Sequence, residues 1–283
     1  MKAPSETVRL EGRNVNLVAD LYGRDTDPAV LLMHGGGQTR HAWGNAASEL
    51  AAAGRLAVSL DLRGHGESDW APDGDYDIGS FAADARAVSA GFAHQPVLVG
   101  ASLGGLASLV AIGESKEPVA KGLVLVDVAP RVEREGTDRI RGFMRSGIAG
   151  FDRIEDAADA ISAYIPERPR PKDLSGLRKN LRLREDGRWY WHWDPRFLEG
   201  PNGIDGQRGH IDHDRLAEAA KLVRVPTLLV RGRASDVVSD ASVAELIELI
   251  PHAEVADVAG AGHMVAGDRN DAFNAAVIEF IER

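Results

Sequence analysis

The sequence predicts an α/β fold, a doubly wound and mostly parallel sheet with helices on its two faces. Short, continuous apolar runs, typical of strands that are covered on both faces, recur along the chain. Amphipathic segments long enough to form helices separate these runs, and this alternation indicates crossover connections in a parallel sheet. The alternation breaks once and then resumes, which indicates an insertion. In such a sheet, ligands bind beyond the carboxyl ends of the strands.

The elements before the break follow one another closely. Residues 7–22 alternate in polarity around a Gly-Arg-Asn turn and predict a hairpin of two half-exposed strands. Four buried strands are then predicted, at residues 29–33, 56–60, 96–100 and 122–127. Helices are predicted between them, at residues 41–53, 78–93 and 103–112.

The break divides the chain into a core and an insertion. Residues 131–213 show no buried strand but contain amphipathic stretches, a Pro/Arg spacer and a cluster of aromatic residues. The alternation returns with strands at 225–230 and 253–258 and helices at 241–250 and 268–281. We therefore expect a core made of residues 1–130 and 214–283, with residues 131–213 forming a helical cap inserted after the sixth strand.

Composition excludes several classes of protein. The chain of 283 residues contains no cysteine and carries a formal net charge of −10. Disulfides, thiolate metal sites and cysteine nucleophiles are therefore excluded, and a nucleic-acid partner is not expected. The N-terminal stretch lacks the apolar region of a signal peptide and no segment is apolar enough to span a membrane, so we expect a cytoplasmic protein without a membrane partner. A homodimer is compatible with the sequence.

The segment around Ser102 contains the main candidate for chemistry. A buried strand ends at Gly100, Ser102 follows, and Gly104 and Gly105 open an apolar helix. A serine at the apex of such a strand–turn–helix unit is held in a strained and exposed position, and the glycines allow strand and helix to approach closely. This pattern is typical of a nucleophile elbow.

Two later strand ends supply partners for Ser102. The strand at 225–230 leads to Asp236, and the strand at 253–258 leads to His263, which gives the chain order serine, acid, histidine. Together with the glycine loop at residues 34–37 and the segment 61–68, these motifs resemble those of the α/β-hydrolase superfamily. The resemblance is to its capped serine branch of esterases, lactonases, cofactor-free haloperoxidase-like enzymes and C–C bond hydrolases.

The resemblance implies a role for each of these residues. His263 would take the proton of the Ser102 hydroxyl, and Asp236 would orient the imidazole. Asp127, at the end of the preceding core strand, is a second position at which the acid could lie, and Asp236 is favoured over it. The oxyanion would be bound by backbone N–H groups of Leu103 and Gly36, with Gly37 a less favoured substitute for Gly36.

A serine at the elbow points to acyl chemistry, because relatives that open epoxides or displace halide attack with an aspartate. The predicted activity is hydrolysis of a small to medium carboxylic ester or lactone through an acyl-serine intermediate, without cofactor or metal. Two alternatives stay open. One is perhydrolysis or C–C bond hydrolysis by the same triad, and the other is a binding protein in which the chemistry has been lost.

The residues expected to shape the substrate pocket lie mostly in the cap. Cap packing is the favoured role of the aromatic cluster, and walls of an acyl pocket are the alternative. Pocket candidates are His41, Trp43, Phe143, Met144, Trp191 and Trp193. His34, His65 and Arg63 are interpreted as structural residues. The histidines at 210 and 213 have metal-binding residue types, but a solvated loop is the preferred interpretation.

Overall fold

The core of the protein is an eight-stranded sheet with the order β1-β2-β4-β3-β5-β6-β9-β10. The computed structural model of the chain describes residues 3–166, 170, 172–204, 206, 212–259, 262–263 and 270–283. Strand β2 runs antiparallel to β1 and β4, and the other neighbouring strands are parallel. This confirms the predicted mostly parallel sheet. The strands of the sheet are β1 (Glu6–Glu11), β2 (Asn16–Tyr22), β3 (Ala29–Met33), β4 (Leu56–Leu60), β5 (Val97–Ala101), β6 (Gly122–Val126), β9 (Thr227–Gly232) and β10 (Ala253–Val258).

Helices cover both faces of this sheet. Leu31 and Met33 of β3 belong to one hydrophobic core, whereas Val30 and Leu32 belong to the other, as expected of a strand whose side chains alternate between two buried faces. The first core includes apolar residues of α2 and α3, and the second includes those of α1 and α9. The helices are α1 (Gly44–Ala52), α2 (Ile78–Ala90), α3 (Leu103–Gly113), α4 (Arg134–Ser146), α5 (Ile154–Tyr164), α6 (Arg196–Glu199), α7 (His213–Lys221), α8 (Asp240–Leu249) and α9 (Asn270–Glu282).

Residues 131–213, called the insertion below, were expected to be helical, but they also contain strands. Besides α4, α5 and α6, they form an antiparallel pair of three-residue strands, β7 (Leu181–Leu183) and β8 (Trp189–Trp191). Strands this short give too few residues for a period to be recognised in the sequence. The chain after β8 joins the core: Asp194 N donates to Gly64 O at 2.8 Å, and Gly66 N donates to His192 O at 2.7 Å.

Two neutral histidines fix the loops that follow β3 and β4. His34 Nε2 accepts a hydrogen bond from Leu62 N at 3.0 Å, and His65 Nε2 accepts one from Gly37 N at 3.0 Å. The Nδ1 atoms then donate to the carbonyls of Gly35 and Arg63. Burial lowers the pKa of His34 to about 4 and the pKa of His65 to about 3. Both rings therefore act as structural links.

The turn from β5 into α3 requires glycine because the backbones touch. A β-carbon on Gly100 would lie 2.3 Å from the carbonyl carbon of Gly104, and one on Gly104 would lie 2.4 Å from Met33 O. Neither contact can be relieved by rotating a side chain. The turn therefore holds Ser102 at a fixed position above the sheet.

We expect Gly104→Ala to destabilise the protein by more than about 3 kcal/mol, because the added methyl group must displace backbone. Gly142→Ala is the matched control, since a β-carbon at Gly142 in α4 meets nothing within 4 Å. Replacing this helical glycine by alanine should raise the free energy of unfolding by about 0.5–1 kcal/mol. Urea unfolding measures both, and equal stability of the two variants would contradict the close packing of the turn.

The buried histidines predict a loss of stability in mild acid. Below about pH 6.5 the unfolded chain binds protons at His34 and His65, whereas the folded protein does not until the pH falls to their lowered pKa values, about 4 and about 3. The free energy of unfolding should therefore decrease with falling pH, by up to about 1.4 kcal/mol per pH unit for each histidine. Urea unfolding between pH 7.5 and 4.5 measures this slope.

The slope should become shallower in His65→Gln, which keeps an acceptor for Gly37 N but has no titrating ring. The control is His94→Gln, because His94 is exposed on the surface. An unchanged slope in His65→Gln would show that the acid sensitivity arises elsewhere.

Candidate active site

A cavity of about 530 Å³ lies between the carboxyl edge of the sheet and the insertion. Ser102, His263 and the glycine loop line its floor, and residues of α4, α5 and β8 line it from the insertion. Ligand sites of parallel α/β sheets form at this edge, because the chain leaves each strand there in a loop. The cavity therefore brings together the sequence motifs from distant parts of the chain.

Ser102 lies directly after β5 in a conformation that few residues other than glycine adopt. Its backbone has φ 45° and ψ −113°. The Ser102 N–H donates to Val126 O at 3.2 Å, which ties the turn to the end of the neighbouring strand β6. Strain of this kind costs about 1–3 kcal/mol and is concentrated at functional sites. The next residue, Leu103, begins α3, so its N–H belongs to the positive end of a helix.

His263 is hydrogen-bonded to Asp127, the residue that directly follows β6. His263 Nδ1 lies 2.7 Å from Asp127 Oδ2. The Asp127 side chain is 1% exposed, and the His263 side chain is 11% exposed. Asp127 also has a positive φ of 47°, a backbone conformation that few residues other than glycine adopt. Two further donors reach the carboxylate: Gly232 N at 3.0 Å from Oδ1, and Ser235 Oγ at 2.5 Å from Oδ2.

The prediction that Asp236 orients His263 is therefore corrected. The Asp236 carboxylate forms an ion pair with Arg139 of α4, whose Nη2 atom lies 2.9 Å from Asp236 Oδ2. The Asp236 side chain is 33% exposed. The reason lies in the loop that follows β9, where Arg139 of α4 holds the Asp236 side chain on the side of the insertion. Within the loop after β9, Ser235 points inward to Asp127 and Asp236 points outward to the insertion.

Two backbone amides of the glycine loop donate to side chains. Gly35 N donates to Gln38 Oε1 and Gly37 N donates to His65 Nε2, each at 3.0 Å. The Gly37 amide therefore makes a structural contact, while the role of Gly36 as an oxyanion donor stays a prediction. Gly36 lies between them, and a β-carbon placed there would approach the Phe197 ring to 3.2 Å.

All six predicted pocket residues line the cavity, while their contact with a substrate remains a prediction. They are His41, Trp43, Phe143, Met144, Trp191 and Trp193. Trp193 and Phe197 of the aromatic cluster are buried in the first hydrophobic core, and Trp191 and Trp193 line the cavity. Burial, followed by the charge of Arg40, lowers the pKa of His41.

Helix α4 lines the cavity with more residues than Phe143 and Met144, the two predicted from the sequence. Thr137, Ile140, Arg141 and Met144 all line the cavity, and their spacing of three and four residues places them on one helical face. That spacing was visible in the sequence. Arg141 and Lys179 bring positive charge to the cavity, whereas the lining carboxylates Asp77 and Asp212 cap the N-termini of α2 and α7.

Metal-binding geometry is not found in the described parts of the chain. No group of three or more His, Asp or Glu side chains there could hold an ion. His213 Nδ1 donates to Pro130 O, Asp212 caps α7, and His210 lies outside the described residues. Within the same described residues, no helix is both long and apolar enough to cross a membrane.

Comparisons with known proteins agree with this fold. The chain is 31% identical over 252 residues to an esterase of Mycobacterium tuberculosis, a match that covers 86% of this chain and 78% of that protein. It is 26% identical to a 3-hydroxybutyrate-oligomer hydrolase of Cupriavidus necator, covering 86% and 85% of the two chains. The crystal structure of E-2-(acetamidomethylene)succinate hydrolase superposes with a TM-score of 0.84 at 24% identity, covering 98% of this chain and 99% of that chain.

The model of one protein family matches most of the chain. It matches residues 30–276, from the second residue of β3 into α9 and across the whole insertion, so that β1 and β2 lie outside the match. Together with the sheet order and the turn at Ser102, this match identifies the chain as a member of the alpha/beta hydrolase family.

Proposed function

We propose that the protein hydrolyses a small to medium carboxylic ester or lactone through an acyl intermediate on Ser102. The observation that carries the proposal is the shared cavity, in which Ser102 on its strained turn and His263 held by Asp127 line the same space. A serine hydroxyl is a weak nucleophile until a neighbouring base takes its proton, and His263, held by Asp127, is the base that we assign to Ser102.

Acylation of the serine uses each of these groups once. His263 Nε2 takes the Ser102 proton as Oγ attacks the carbonyl carbon, and the carbonyl electron pair moves onto oxygen. The amides of Gly36 and Leu103 stabilise this oxyanion, and each such donor contributes about 10²–10³ in rate. Asp127 keeps the Nδ1 proton in place and stabilises the imidazolium, which then gives its proton to the leaving alkoxide.

Deacylation repeats these steps with water as the nucleophile. His263 takes a proton from the water, whose oxygen attacks the acyl carbon of acyl-Ser102. Collapse of the second oxyanion expels Ser102 Oγ, which regains its proton from the imidazolium, and the carboxylic acid leaves. The cycle is balanced by one water molecule and needs no other reactant.

The size and lining of the cavity support the substrate range. A volume of about 530 Å³ falls within the range of about 300–1,000 Å³ for small-molecule sites. The side of the cavity formed by the insertion is mainly apolar, which suits an acyl or alkyl chain. Ester hydrolysis is also in keeping with the esterase among the relatives.

Reaction of the protein with a fluorophosphonate probe tests this proposal. We expect a single adduct on Ser102, located by peptide mass spectrometry, because only a serine beside a base reacts readily. Hydrolysis of p-nitrophenyl butyrate should fall by at least about 10³-fold in Ser102→Ala.

Ser146→Ala is the control for the probe reaction, because Ser146 is exposed on α4 and donates only to its own helix at Phe143 O. This variant should keep both the adduct and the activity. Labelling of another residue, or unchanged hydrolysis in Ser102→Ala, would refute the proposed nucleophile.

A further inference from the structure

The hydroxyl group of Ser235, in the loop after β9, is oriented by its hydrogen bonds. Ser235 Oγ accepts hydrogen bonds from Val237 N at 3.1 Å and from Val238 N at 3.2 Å. These two donors occupy the lone pairs of the oxygen. The remaining hydroxyl proton points to Asp127 Oδ2, which lies 2.5 Å away. The backbone of the loop therefore orients Ser235 as a donor to Asp127.

The Asp127 carboxylate is buried and receives three donors, of which the last residue of β9 supplies one and the loop after it supplies another. Gly232 N binds Oδ1, while Ser235 Oγ and His263 Nδ1 share Oδ2. A carboxylate held from both oxygens cannot rotate about its terminal bond without losing a charge-assisted hydrogen bond. The plane of the carboxylate, and with it the direction of the His263 ring, is thereby fixed.

The loop itself is held between the sheet and helix α4 of the insertion. Glu133 N donates to Val237 O at 2.8 Å, and a β-carbon on Gly136 would lie 2.4 Å from Asp236 O. The ion pair between Arg139 and Asp236 joins the same two elements. Ser235 is thus kept in place by contacts on both sides.

We propose that Ser235 is a positioning residue of the active site, which acts by donating its hydroxyl proton to Asp127 and so holds the Asp127–His263 pair in its productive orientation. The inference rests on the proposed function, since Asp127 and His263 serve there as acid and base. Ser235 itself touches no reacting atom. Its effect should therefore appear in kcat and in the pH profile, with KM nearly unchanged.

The test compares Ser235→Ala, Ser235→Thr and Ser235→Val in hydrolysis of p-nitrophenyl butyrate. We expect kcat to fall about 10- to 100-fold in the Ala and Val variants with KM changed less than about twofold, as for loss of one hydrogen bond to a charged group. The Thr variant, which keeps the hydroxyl, should stay within about threefold of the parent. The Thr and Val variants have the same shape, so their comparison isolates the hydroxyl even where the Ala variant does not fold.

Two further readouts distinguish positioning from a merely structural role. Without the Ser235 donor the carboxylate keeps more of its negative charge and stabilises the imidazolium more strongly, so the acid limb of the kcat/KM profile should move to higher pH. The downfield proton resonance of His263 Nδ1 should shift in the Val variant and be retained in the Thr variant. Ser239→Ala is the matched control, since Ser239 caps α8 in the following segment and should alter stability alone.

Equal kcat and equal pH profiles in the Thr and Val variants would overturn the role of Ser235. With Ser102→Ala inactive in the same assay, that result would leave the proposed function standing. Full activity of Ser102→Ala would instead remove the proposed function itself.

Discussion

The hydrogen bond between His263 and Asp127 joins the two parts of the core at the candidate active site. Asp127 directly follows β6, before the insertion, and His263 follows β10, after it. Their 2.7 Å contact therefore depends on the whole sheet being assembled around the insertion. A buried charge such as that of Asp127 would be costly without compensation, and three donors provide it. The conformations of β6, β9 and the last loop are linked at this single carboxylate.

With Asp127 as the proposed acid, the loop after β9 has a supporting role. Ser235 donates a hydrogen bond to Asp127, and Asp236 pairs with Arg139 on α4. The same α4 lines the cavity with Ile140 and Met144. One short loop thus contacts both the proposed acid and the wall of the substrate pocket, which links the position of the insertion to that of the Asp127–His263 pair.

The sequence predicts the core well because its signals are local. Apolar runs such as that of β3 have no other stable location than a strand covered on both faces, and the glycines around Ser102 are required by contacts within one turn. The partner of His263 is different in kind. Both Asp127 and Asp236 follow strands. Which of them meets His263 depends on whether the side chain at 235 or the one at 236 points inward, and this is a property of loop geometry.

The insertion shows the same limit. The three-residue strands β7 and β8 are too short to show a repeating pattern, so they could not be predicted from the sequence. The spacing of the cavity residues on α4 places them on one face of the helix. Which face of α4 meets the cavity, however, depends on how the insertion packs on the core. Phe197 illustrates this docking, since it belongs to the insertion and is completely buried against the core.

The most direct test of this account is the kcat of Asp127→Asn measured beside that of Asp236→Asn. Asparagine keeps the shape of each side chain, but at position 127 its amide would donate to His263 and impose the wrong tautomer, for which a loss of about 10⁴-fold is typical. Asp236→Asn removes an ion pair whose partners are partly exposed, so its kcat should stay within about threefold of the parent. A large loss in Asp236→Asn with an active Asp127→Asn would contradict the assignment of Asp127 as the acid.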